Sequence, residues 1–173
     1  MRIQSILIAG LFLLFAFACT PKPEASNEPL MAKLPYFDLK GYIEQTIPKM
    51  EGAKVAKISR VQNQEESKDV VFSAHDGTEE SDIFFEADIN NPSLATAYDT
   101  QTENSYLIHE LLPGEKGRVK EIRIRYDNDK PTAITVKMKE DNMFYTSTTI
   151  GQVYFNVETS KVDHYSVEST QKI

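Results

Sequence analysis

Few side chains in this 173-residue chain have the types and spacing that chemistry requires. The histidines are His75, His109 and His164, scattered along the chain, and none pairs at metal-ligand spacing with a cysteine or another histidine. Zinc needs three or four such ligands converging on one point, so these read as surface or turn histidines and no metal is expected. Asp127-Asn128-Asp129 has the acidity of a calcium loop, but the glycine required at the sixth position is Thr132 and the glutamate at the twelfth is Met138. A hairpin turn explains the triplet better. Glu79, Glu80 and Asp82 place three carboxylates together. Paired carboxylates serve acid/base chemistry, yet acids in the first turn of a helix are accounted for by its dipole alone. Asp163-His164 has no nucleophile close in sequence, and no Gly-x-Ser-x-Gly elbow, phosphate-binding loop or His-Glu-x-x-His motif occurs. The chain therefore reads as non-enzymatic, without a cofactor. One aromatic set remains. Tyr98, Tyr106, Tyr126, Phe144, Tyr145 and Phe155 fall in segments with strand character. On one concave face they would line an apolar cleft; otherwise they are ordinary strand formers.

The last reactive group is the thiol of Cys19, the only cysteine, so no internal disulfide forms and stability must come from packing. It follows Arg2, the sole charge before it, and an apolar run of 13 residues from Ile6 to Ala18. A bilayer span needs about 20 apolar residues, and Pro21 and Pro23 stop any helix soon after. Residues 1–18 are thus expected to be a secretory signal peptide. Ala16-Phe17-Ala18-Cys19 resembles the lipobox of bacterial lipoproteins in the relaxed form of Bacteroidetes-type bacteria. The resemblance implies cleavage between Ala18 and Cys19 and a diacylglyceryl thioether, with palmitate-like chains, on Cys19. Two chains anchor stably where one does not. Thr20 stands where an aspartate would resemble the inner-membrane retention signal, which favours the outer membrane. Both its periplasmic and its surface-exposed side stay open.

Without residues 1–18 the chain carries 18 basic and 26 acidic side chains, a net charge of −8. That balance argues against nucleic acid, whose phosphates need basic patches, and against electrostatic docking on anionic lipid. The expected partners are the membrane, through the anchor, and either an envelope protein or an apolar ligand. Residues 19–35 hold the lipidated cysteine and a tether with Pro21, Pro23, Pro29 and Pro35, and 36–173 are expected to form one domain.

Within that domain, Leu39, Ile43, Ile47 and Met50 share one face of a helix over about 37–50, with Asp38 at its start and Pro48 ending or kinking it. Lys54–Val61 and Asp69–Ser73 read as strands joined by a polar turn at 63–68. A second helix is predicted over about 79–89, capped by Thr78, with a short turn after Pro92. The remainder alternates apolar and polar residues. Strands are predicted at 98–111, 119–126, 132–139, 143–150, 153–158 and 162–170, with short polar turns between them. Period-two patterning of this kind marks an antiparallel meander with one dry face. The fold class is α+β, a curved meander of about six to eight strands with two helices on one face.

Tyr36-Phe37-Asp38-Leu39-Lys40-Gly41-Tyr42-Ile43-Glu44 and Phe84-Phe85-Glu86-Ala87-Asp88-Ile89-Asn90-Asn91-Pro92 resemble segments of small uncharacterised lipoproteins of Bacteroidetes-type bacteria. The helix-plus-meander outline also resembles lipoprotein-carrier folds of the LolA kind, in which a curved sheet wraps helices and holds acyl chains. The first resemblance implies envelope placement and general fold and nothing catalytic; the expected role is a non-enzymatic interaction or envelope-maintenance factor, or alternatively a carrier or sensor of an apolar ligand. Replacing Cys19 by serine should abolish palmitate labelling and detergent-phase partitioning; unchanged labelling would remove the basis for the anchor.

Overall fold

The computed structural model describes residues 34–173. The predicted signal peptide over 1–18, with its cleavage site at Ala18 and Cys19, and the predicted tether up to residue 33 lie outside the described residues. The first element, α1 (Leu39–Thr46), begins where the Asp38 carboxylate accepts a hydrogen bond from the Gly41 amide at 2.9 Å. Leu39, Ile43 and Thr46 are its buried face. Pro48 then lacks the amide an α-helix needs, and the chain tightens into a 3-10 turn over Ile47–Met50.

A separate hairpin follows, β1 (Lys54–Val61) paired antiparallel with β2 (Gln64–Val71). The polar turn predicted over 63–68 is shorter than expected. Gln62 and Asn63, at φ 48° and 68°, make a two-residue turn of the type that matches strand twist, so Gln64–Lys68 joins the ladder despite its polarity. The predicted second helix also differs. Ser73, whose Oγ accepts from the Asp76 amide at 3.1 Å, starts α2 (Ala74–Glu80), and α3 (Asp82–Glu86) follows after a break at Ser81. Thr78 is no cap: its hydroxyl donates to the Ala74 carbonyl from within α2.

The other six strands form one open, curved sheet in the order β3 (Tyr98–Glu103), β4 (Tyr106–Leu111), β5 (Val119–Asp127), β6 (Lys130–Asp141), β7 (Thr146–Phe155) and β8 (Val162–Lys172). Each strand pairs antiparallel with its sequence neighbour, so the predicted meander is the architecture. The single strand expected over 98–111 is a hairpin, because Asn104 adopts φ 52° and turns the chain. The two strands expected at 143–150 and 153–158 are instead the single β7, continuous through Gly151-Gln152. Gly151 marks a close approach there. A Cβ at this position would stand 3.0 Å from Ile83 Cδ1 and from Val136 Cγ2, so its small size lets α3 settle on the sheet.

One face of the sheet carries Ile122, Ile124, Ile134, Val136, Met138 and Val153, and it is covered by Leu39, Ile43, Ile83 and Phe84 of the helices and by Ile89 of the segment after α3. Each such side chain, fully buried, contributes about 1.5–3 kcal/mol. His109, only 2% exposed, sits within this apolar face. Its Nε2 accepts from the Phe37 amide at 3.2 Å, which leaves the proton on Nδ1 to donate to Thr100 Oγ1 at 2.9 Å. Both ring nitrogens are used, and the ring links the start of α1 to β3 and β4.

Burial lowers the His109 pKa, because the charged ring is disfavoured away from water. The unfolded chain then binds the proton first, at a pKa of about 6.5. This contribution is complete above that pH and falls away below it, with a slope of at most about 1.4 kcal/mol per pH unit. Urea unfolding between pH 7 and 5.5 should show this loss in the wild type and a flatter profile in His109→Gln, whose amide can both accept and donate.

Candidate functional site

Where the hairpin stands apart from the six-stranded sheet, a cavity of about 400 Å³ opens between them. Its walls come from four places. Ile43, Ile47 and Met50 descend from α1 and the 3-10 turn, and Val55 and Ala56 come from β1. Phe72 and Phe84 close the helical side, and Val153, Val162 and Tyr165 rise from β7 and β8. The lining is mostly apolar, with Glu80, Ser81, Asp163 and His164 among its polar members.

Local sequence explains the walls. Gly52, at φ 75°, turns the chain into the hairpin, and its amide donates to the Phe72 carbonyl at 2.9 Å. The Phe72 amide returns a bond to the Ala53 carbonyl at 2.8 Å, so the hairpin base is closed on itself. Phe72 then lies against α2 where Gly77 has no side chain: a Cβ there would fall 2.2 Å from the ring. The Glu51 carboxylate also accepts a hydrogen bond from the Ala74 amide at 2.6 Å.

Glu80 organises the mouth. Its Oε1 accepts from Lys57 Nζ of β1 at 2.7 Å, and its Oε2 accepts from the Tyr165 hydroxyl of β8. One carboxylate thus ties the hairpin, α2 and the far edge of the sheet together. Burial first, and then the Glu80 carboxylate, push the Tyr165 hydroxyl well above the ordinary tyrosine range. Tyr165 is therefore a fixed donor at any physiological pH, not a base. His164 Nδ1 lies 2.9 Å from Asp163 Oδ2, and its ring stacks on Tyr154 at 4.2 Å. Among the described residues no hydrogen bond joins Ser81 to His164, and no three His, Cys, Asp or Glu side chains converge to hold a metal.

The aromatic set singled out in sequence is not what lines this cavity. Tyr98, Tyr126 and Phe155 lie on the helix-covered face. Tyr98 is buried with its hydroxyl on the Val119 carbonyl at 2.9 Å, and burial first, with Tyr36 beside it, raises its pKa to about 12. Phe155 meets the Tyr42 ring edge-on at 5.2 Å. Tyr106 points to the opposite face, beneath the Arg123 guanidinium at 5.8 Å. Phe144 and Tyr145 belong to the β6–β7 turn. The six are split because alternate strand positions face opposite sides and turns face neither. Glu80 was read as a first-turn acid. It ends α2 instead, where the dipole disfavours a carboxylate. That unfavourable placement, offset only by Lys57 and Tyr165, is the signal that sequence periodicity does not carry.

Comparison of the chain with protein-family models, with curated proteins and with solved structures found no match.

Glu80→Ala removes both ties at once. It should lower stability by about 1–2 kcal/mol, and amide exchange should quicken in β1 and β2 far more than in β5 and β6. Equal acceleration everywhere would show that the carboxylate does not hold the hairpin in particular.

Proposed function

We propose that this chain is a cell-envelope lipoprotein, anchored in the outer membrane through Cys19, whose domain binds a small apolar or amphipathic molecule in the cavity beside the hairpin and acts on it by holding rather than by chemistry. The observation that carries the reading is the cavity itself. At about 400 Å³, with walls drawn mostly from Ile, Val, Met and Phe side chains, it falls within the range of small-molecule sites. Its polar members include the bonded Glu80–Tyr165 pair, which suits a ligand with an apolar body and a polar end. The lipobox-like Cys19 supports the envelope placement, and the acidic balance supports a partner that is not nucleic acid.

A second reading, an interaction factor, is favoured by one feature. Among the described residues β1 and β2 pair only with each other, and Ile58 and Val61 are exposed on them. Unpaired strand edges with apolar side chains are places where a partner strand adds.

Ala56 lines the cavity from an exposed strand position, so Ala56→Phe fills the space without disturbing the core. Binding of a fluorescent apolar probe such as N-phenylnaphthylamine should weaken at least about tenfold, given the apolar contact excluded, while the thermal midpoint is maintained. Native mass spectrometry of the gently extracted protein should show a bound small molecule that Ala56→Phe lacks. Equal probe binding by both proteins would overturn the ligand reading and leave the interaction reading in its place.

A further inference from the structure

The β6–β7 turn presents two large apolar side chains straight to solvent: Met143 is 92% and Phe144 77% exposed. Ile173, which follows the Lys172 partner of Thr146, is exposed beside them. The turn is held in shape. Asn142 Oδ1 accepts from the amides of Phe144 and Tyr145 at 2.9 and 3.1 Å, and the Asn142 amide donates to the Tyr145 carbonyl at 3.1 Å. Below it, Thr146 Oγ1 donates to Asp141 at 2.9 Å. These side chains add nothing to the core, so their exposure has a cost in water that only an external apolar phase removes. The charges around the tip are largely matched within the domain: Lys139 lies 3.4 Å from Asp141, and Arg118 4.0 Å from Glu140.

We propose that Met143 and Phe144 form a preorganised tip that dips into the interface of the bilayer to which Cys19 is attached. The proposal rests on the lipid-anchor reading above, and two observations favour a membrane as the occupant. The first is position. The tip extends from the end of the sheet that holds Tyr98, Val119 and Met138, and Tyr36, near the start of the described chain, lies against Tyr98 there with ring centroids 5.5 Å apart. The described chain thus begins at the end of the sheet from which the tip projects. The second is reach. The 14 residues from 20 to 33 span at most about 50 Å, enough to let the tip meet the lipid surface that holds the thioether. A Met-Phe pair without a net cationic ring suits a zwitterionic interface, where aromatic side chains settle at headgroup depth.

The chain has no tryptophan, so Phe144→Trp installs a single reporter in the full lipidated protein. Reconstituted in phosphatidylcholine vesicles, its emission should shift to the blue and be quenched by lipids brominated high on the acyl chain. Val157→Trp, at the opposite end of β7, should remain water-like. Circular dichroism of both variants should match the wild type, since both positions are exposed. If the protein floats with the vesicles while the residue-144 reporter stays water-like, the tip proposal is overturned and the anchor stands. If the protein does not float, the anchor reading fails and the tip falls with it. A blue shift without bromine quenching would assign the tip to a protein partner and overturn the membrane.

Discussion

The whole structure depends on keeping one face of a six-stranded meander dry. Alternation along β5, β6 and β7 puts Ile122, Ile124, Ile134, Val136 and Val153 on one side, and a single sheet has no second layer of its own to cover them. Three short helices supply it. They are held to the sheet by specific devices: the His109 ring between Phe37 and Thr100, the missing side chain at Gly151 beneath Ile83, and the Tyr36–Tyr98 ring contact. Short helices are marginal alone, so their persistence follows from the face they cover.

The hairpin lies outside this arrangement, and the cavity exists for that reason. β1 and β2 are polar and exposed along most of their length, so burial does little to fix them. Hydrogen bonds at the base and the Glu80 carboxylate do it instead. A group tied by polar bonds at a few points leaves apolar walls facing one another without filling the gap between them. The same physics that makes the hairpin the least secured element makes the space beside it available to a ligand.

On the proposed reading, anchor, tip and cavity would divide the labour of an acidic domain at a membrane. The thioether would supply attachment, which overall charge would not. The tip would set orientation, and the cavity lies near the hairpin, around the β8 start that is remote from the tip. No helix among the described residues is long and apolar enough to cross a bilayer.

The antiparallel meander was legible in the sequence because period-two alternation and polar turns such as Asp127-Asn128-Asp129-Lys130 are local signals, although β7 read as two strands on either side of Gly151-Gln152. So was the face of α1, and so was the effect of Pro48. Element limits were less legible where local chemistry competed: Ser73 rather than Thr78 started the second helical segment, and two positive-φ residues shortened a turn that composition made look long. The cavity was not legible at all. Its walls come from segments as far apart in the chain as Ile43 and Tyr165, and the aromatic residues that strand propensity favoured went to the core, the outer face and a turn. By itself the sequence determined the alternation behind the dry face, the buried stripe of α1 and the lone Cys19, because each is carried by composition or by spacing between near neighbours. Only the tertiary structure decided that Glu80 would bridge Lys57 and Tyr165 and that a gap would remain behind it, because long-range contacts depend on where whole elements come to rest.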